Sequence, residues 1–190
     1  QARGMDLYDI DEFRRWHREA AIRAKKAGAD IVYVYCAHNV ALPMHFLLQR
    51  YNRRRDAYGG KLENRARLLR ELLEDTKDAV GDSCAVALRF AVDERIGEAG
   101  LEWQNEGREV VEMLAELPDL WDVNVSDVDQ DSKSARFSDE GFQEPYTAFV
   151  KALTTKPVVG VGRYTSPDRM AGLVRRGVLD LIGAARSSIA

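Results

Sequence analysis

Apolar positions along the chain keep two rhythms in alternation. From residue 9 to residue 27 they recur at helical spacing, at Ile10, Phe13, Trp16, Ala20, Ala24 and Ala27. That spacing predicts a helix over 9–27, with Asp9 as its cap, Glu12 completing a capping box, and Gly28 ending it. Ile31 to Tyr35 then form an unbroken β-branched and aromatic run, as in a strand buried on both faces of a parallel sheet. After an irregular stretch over 37–60, a second helix is predicted over 62–80. Leu68, Leu69, Leu72, Leu73 and Thr76 share one of its faces, and Gly81 closes it. The alternation continues downstream. Strands are predicted over 85–90, 121–125, 158–161 and 181–184, and helices over 105–117, 146–153 and from Ser166 to Gly177. The last of these helices has the Ser-Pro order of a cap and first turn.

Five strands, each but the last followed by a helix, imply a parallel sheet with right-handed crossovers. Two architectures compete: an open doubly wound sheet and part of an eight-stranded barrel. A dinucleotide fold would show Gly-x-Gly-x-x-Gly after its first strand, yet residues 35–40 contain no glycine. Glycine and arginine gather instead at the ends of the last two strands, at Gly160, Gly162 and Arg163 and at Gly183 and Arg186. Barrels of this kind bind phosphate at the loops after strands seven and eight. The expected fold class is therefore α/β, a (β/α)8 TIM barrel, with this chain as its C-terminal part, strands four to eight. Residues 1–190 would form a partial domain, lacking the N-terminal strands and any C-terminal domains. The chain starts at Gln1 and stops straight after a strand, as the interior of a longer protein would. Weak stability is expected of it in isolation, because a closed barrel leaves no open edges.

Composition narrows the class further. The chain is 45% hydrophobic and 31% charged with a net charge of −3, values of one soluble, cytoplasmic-type domain. No apolar run approaches the ~20 residues of a membrane span, and no signal peptide is present. The near-neutral charge gives nucleic acid no footing, and the run Arg53–Arg55 is offset by Asp56 and Glu63. Cys36 and Cys84 read as buried free thiols, and His17, His38 and His45 are too dispersed for a metal site.

Catalytic groups in such barrels sit at the C-terminal strand ends. That singles out Tyr35, His38, Arg89, Asp93, Asn124, Asp127, Asp131, Arg163 and Arg186. Tyr35 and His38, just past a strand, can converge as hydrogen-bond donors or as an acid/base pair, with ordinary packing as the alternative. Tyr33, deeper on the same strand face, is expected in the core. Arg89 lies mid-strand in an apolar run, so it needs an anionic partner, either a structural salt bridge or a ligand. The two Gly/Arg segments suit close approach of backbone N–H groups to phosphate, and the helix start at Ser166 adds a favourable dipole end.

The stretch NRRRDAYGGKLENR, residues 52–65, reads Asn-x-Arg-x-Asp-x-Tyr-Gly-Gly-x-x-Glu-Asn-Arg. It resembles a hallmark of the flavin-dependent old yellow enzyme superfamily. Around it, YVYCAH, ALRFAVDE, VVGVGRYT and LIGAAR keep the order and rough spacing of the trimethylamine dehydrogenase-like branch, so the resemblance covers essentially the whole chain. It implies FMN as cofactor. By the same resemblance, Tyr35 and His38 belong to the active site over the flavin, and Arg89 lies at the pyrimidine end of the ring. Gly162, Arg163, Ala185 and Arg186 would hold the FMN phosphate. Asp131, counted back from Arg136-Phe137, matches an aspartate that contacts the histidine, with Asp127 and Asp129 as rivals. The loop SDVDQDSKSARF is shorter than the pattern and lacks its tryptophan, which removes one wall of a cage for a tertiary amine. The motif itself is expected to be a self-bonded loop that sets the following helix.

The resemblance implies oxidation of a methylated amine or N-methyl compound by hydride transfer to flavin. It also implies an electron acceptor such as an electron-transfer flavoprotein or NAD(P), a 4Fe-4S cluster in the missing C-terminal part, and a homo-oligomer. Two other readings stay open: an NAD(P)H-dependent ene-reductase, and a non-catalytic barrel remnant that binds flavin or a partner subunit.

Overall fold

A computed structural model of the chain describes residues 3–126 and 137–184. Its sheet contains five parallel strands: β1 (Ile31–Cys36), β2 (Ala85–Asp93), β3 (Leu120–Val125), β4 (Val158–Gly160) and β5 (Leu181–Ile182). Their spatial order is β1-β2-β3-β4-β5, the same as their order in sequence. Each crossover therefore steps one place in one direction, and right-handed crossovers of that kind put every connecting helix on the same face. A doubly wound sheet reverses direction at a switch point, and this one does not. The sheet is singly wound, the strand order of a parallel barrel rather than of a doubly wound sheet.

The helices are α1 (Leu7–Lys26), α2 (Leu42–Leu47), α3 (Leu62–Arg65), α4 (Arg67–Val80), α5 (Glu106–Leu114), α6 (Glu144–Thr147) and α7 (Pro167–Arg175). Val34 and Cys36 of β1, Leu88 and Phe90 of β2, and Trp121 and Val123 of β3 are buried in one core with Leu69 and Leu72 of α4. On the opposite face, Ile31, Tyr33, Tyr35 and Leu181 are 44%, 45%, 36% and 49% exposed. The expectation of a buried Tyr33 fails there: the sheet leaves this inner face uncovered at its flanks. No helix among the described residues is long and apolar enough to cross a membrane.

Several boundaries differ from the periodicity. α1 begins a turn earlier than its apolar stripe, because Asp6 and Asp9 form a reciprocal capping box at 2.9 Å in each direction. The predicted second helix breaks at Ala66 into α3 and α4. A short helix, α2, occupies part of the stretch read as irregular, with Pro43 in its first turn. The helix predicted over 146–153 is the shorter α6 followed by a 3₁₀ turn, Val150–Ala152.

The motif over 52–65 is a self-bonded loop. Asn52 donates to the Tyr58 carbonyl at 2.7 Å and accepts from the Arg54 N–H at 3.0 Å. Asp56 accepts from the Tyr58 N–H at 3.1 Å and from Arg54 Nε at 3.0 Å. A side chain at Gly59 would put its Cβ 2.2 Å from the Arg54 carbonyl oxygen, so this close approach requires glycine. The buried Arg65 guanidinium donates to the Gly60 and Leu47 carbonyls and to Glu106, tying α3 to the first residue of α5.

Candidate active site

Parallel register aligns Tyr35 with Arg89 and Arg89 with Asp122, so the inner face of the sheet carries a row of polar side chains across β1, β2 and β3. Past the end of β1 the chain turns through two consecutive left-handed residues, His38 (φ 58°) and Asn39 (φ 54°). Asparagine tolerates this conformation, but histidine adopts it less readily and needs surrounding contacts to hold it there. Those contacts are present. The Tyr35 hydroxyl is hydrogen-bonded to His38 Nδ1. Asn124 Nδ2, at the end of β3, lies 2.8 Å from His38 Nε2. Asn39 is fixed in turn, donating to the Tyr51 hydroxyl at 3.0 Å while His45 Nε2 meets its carbonyl at 3.0 Å.

Both ring nitrogens of His38 are thus engaged, Nδ1 by the Tyr35 hydroxyl and Nε2 by the Asn124 side-chain amide, and the tautomer decides which partner donates at each. An imidazole bonded to a phenol oxygen in this way can stabilise charge that develops there and can exchange a proton with it.

Arg89 Nη1 donates to Asp122 Oδ2 at 2.7 Å. The structural partner that an apolar strand demands of a lone arginine is thus present. It engages one of five N–H donors, and among the described residues the others have no hydrogen-bond acceptor. Asp122 Oδ1 and Asn124 Oδ1 are both buried without a donor. Three polar groups with unused hydrogen-bonding capacity therefore share one inner face, as a polar ring system lying across the strand ends would need.

The second candidate centre follows β4. Gly160 packs so closely on Leu179 that a Cβ there would come within 2.6 Å of it. Gly162 comes next, and then Arg163 in the left-handed region at φ 58°. Arg163 Nη1 donates to the Ser138 carbonyl at 2.8 Å. Ser166 caps α7 by accepting from the Arg169 N–H at 3.3 Å. Just ahead of α7, Glu140 Oε1 accepts from the Thr165 and Ser166 N–H groups at 2.7 Å each, so these two donors already have a carboxylate partner. Those two backbone bonds hold the Glu140 carboxyl below its ordinary pKa.

Of the other strand-end residues, Asp93 builds a loop, accepting from the Arg95 and Trp103 N–H groups at 2.6 and 3.1 Å. Asp131, with its rivals Asp127 and Asp129, lies outside the described residues, as do Ala185 and Arg186. Cys36 and Cys84 are free and buried. Sequence reasoning placed Asn124 at a strand end without linking it to His38, and it passed over Asp122. The signal for Asp122 was the one carboxylate in the buried strand LWDVNV, which needs a cation across a strand boundary.

Comparison with known proteins shows the family of the chain. Residues 1–190 match the family described as NADH:flavin oxidoreductase / NADH oxidase. Dimethylamine dehydrogenase of Hyphomicrobium sp. (strain x) is 42% identical over 188 residues, covering 96% of this chain and 25% of that protein. The structure of 6-hydroxypseudooxynicotine amine oxidase from Pseudomonas geniculata N1 superposes with a TM-score of 0.95 at 64% identity, covering 99% of this chain and 28% of that one. Histamine dehydrogenase from Rhizobium sp. 4-9 gives a TM-score of 0.93 at 51% identity, covering 100% of this chain and 27% of that one. Matches at lower identity extend to proteins named as reductases and NADPH dehydrogenases. The chain spans about a quarter of the length of the first three.

Proposed function

The chain belongs to the NADH:flavin oxidoreductase / NADH oxidase family, and on that premise we propose that it is the arc of strands four to eight of an FMN-dependent (β/α)8 barrel that oxidises an amine. The names of its relatives share an amine, and dimethylamine among them favours a methylated amine or N-methyl compound as the substrate class. The observation that carries the reading is the convergence of Tyr35, His38 and Asn124 at the ends of β1 and β3, beside Arg89.

The residues present fit a flavin. Arg89, with donors left over after Asp122, would face the pyrimidine end of the ring. Gly162 and Arg163, joined by Ala185 and Arg186, would hold the phosphate through backbone N–H groups and guanidinium forks. FMN, when bound, supplies the acceptor for a hydride equivalent. The chain's own residues orient the amine and manage its proton. The Tyr35 oxygen meets the amine nitrogen and takes or returns a proton there, His38 Nδ1 supports the charge on that oxygen, and Asn124 orients the imidazole through Nε2. By the family resemblance, Asp131 would add a further contact to His38. A 4Fe-4S cluster would belong to the rest of the protein, and so would the contact with an electron acceptor such as an electron-transfer flavoprotein or NAD(P). Among the described residues no cluster of His, Cys, Asp and Glu side chains suits a metal ion.

An anaerobic absorbance titration of the full-length protein at about 450 nm tests the reading. Bleaching of the flavin band by methylated amines and not by NADPH is expected. Bleaching by NADPH alone would move the protein to the ene-reductase class, and a preparation with no flavin band would leave a non-catalytic remnant.

A further inference from the structure

Resting on the reading that a flavin lies against Arg89, we infer that Asp122 sets the effective charge of that arginine and so holds down the reduction potential of the bound flavin. Register puts the two residues directly opposite each other, Arg89 on β2 and Asp122 on β3. Each is the one charged residue of its strand segment, ALRFAV and LWDVNV. Their contact is a single one, Arg89 Nη1 to Asp122 Oδ2 at 2.7 Å.

The two partners are unequal. The Asp122 side chain is 9% exposed and that of Arg89 is 28% exposed, so the carboxylate is the buried member and the guanidinium the one that opens to the inner face. A salt bridge arranged for stability would engage both carboxylate oxygens in a fork. Here Asp122 Oδ1 is buried with no donor. An unsatisfied buried carboxylate oxygen destabilises the fold, so the residue's charge needs a different explanation from its bonding.

That explanation is electrostatic. A charge held in a poorly solvated wall is weakly screened and acts on its neighbours over several ångströms. A ring that gains electron density on reduction is favoured by positive charge beside it and opposed by negative charge. Arg89 therefore raises the tendency of a neighbouring flavin to be reduced, and Asp122, fixed on the adjacent strand, offsets part of that effect. The flavin responds to the pair rather than to a free guanidinium. Asn124, two positions along the same strand face, is uncharged and leaves this balance to Asp122.

The test is an anaerobic dye-equilibration titration of the FMN-loaded, full-length protein, with FMN retention followed by absorbance. Asp122→Asn keeps the shape and removes the charge; its midpoint potential shifts positive with FMN retained. Asp122→Glu, which keeps the charge, stays near the wild type, and Arg89→Gln shifts negative. If Asp122→Asn is unchanged or shifts negative while Arg89→Gln still shifts negative, the inference is overturned and the flavin position stands. If Arg89→Gln alters neither potential nor FMN retention, the flavin does not lie against Arg89, and both fall. Should Asp122→Asn fail to fold, the double variant Arg89→Gln/Asp122→Asn leaves neither charge unpaired. Its midpoint lies above that of Arg89→Gln alone, and coincidence of the two would overturn the inference.

Discussion

His38 is held at three points: a left-handed backbone, a bond from Nδ1 to the Tyr35 hydroxyl, and a bond from Nε2 to Asn124. A residue fixed at both ring nitrogens is suited to proton management and poorly suited to being filler. Replacing it by alanine is expected to slow flavin reduction by substrate by about 10²–10⁴-fold, the usual weight of a positioned acid or base, while FMN stays bound. Stopped-flow reduction of the FMN-loaded protein measures this, and a wild-type rate would remove His38 from the chemistry. The contact between Tyr35 and His38 was open to sequence reading because the two lie three residues apart past a strand, although that pattern alone left ordinary packing as an alternative and the family resemblance favoured a site. The partners were not. Asn124 is 86 residues from His38 and Asp122 is 33 from Arg89, and the register that unites them depends on which strands pair. The motif over 52–65 was legible as a unit because its bonds are short-range, as between Asn52 and Tyr58.

Among the elements, long periodic helices and apolar strands were predictable in kind and inexact at their ends. Capping by Asp6 and the break at Ala66 reflect local hydrogen bonding that an apolar stripe does not report. The packing of α1 on α4 carries a prediction of its own. His17 of α1 is partly buried against α4, with Nδ1 3.3 Å from Thr76 Oγ1. Burial lowers its pKa below the ordinary imidazole value, and Asp75 opposes the shift. The unfolded chain therefore takes up a proton before the folded one does. The stability this site supports is complete above about pH 6.5 and is lost as pH falls from there toward the folded-state pKa. Urea midpoints measured from about pH 8 down to about pH 5 should show this decline, and His17→Gln should flatten it. An unaltered slope in that variant would assign the decline to other groups.

At the scale of the whole molecule, the decisive feature is that strand order follows sequence order without a reversal. Right-handed crossovers then put the connecting helices on one face, and on the proposed barrel reading the other face would be the inside of the barrel. The exposed row of Ile31, Tyr33, Tyr35 and Leu181 is that uncovered face. It was invisible to pattern reading, since a run such as IVYVY looks equally apolar whether its second face meets a helix or the inside of a barrel. Exposed aromatic and aliphatic side chains on a sheet bind apolar dyes and favour association, and β1 and β5, the edge strands among the described residues, add to both tendencies. The 190-residue chain produced alone is therefore expected to enhance the fluorescence of an apolar dye such as ANS. It should also unfold at a lower urea concentration than the same residues do within the full-length protein. In the full-length protein the dye signal should vanish, because the remaining strands would cover the face. A dye-silent chain as resistant to urea as the longer protein would mean that this face is already complete, and the assignment of these strands to an arc of a larger barrel would have to be abandoned.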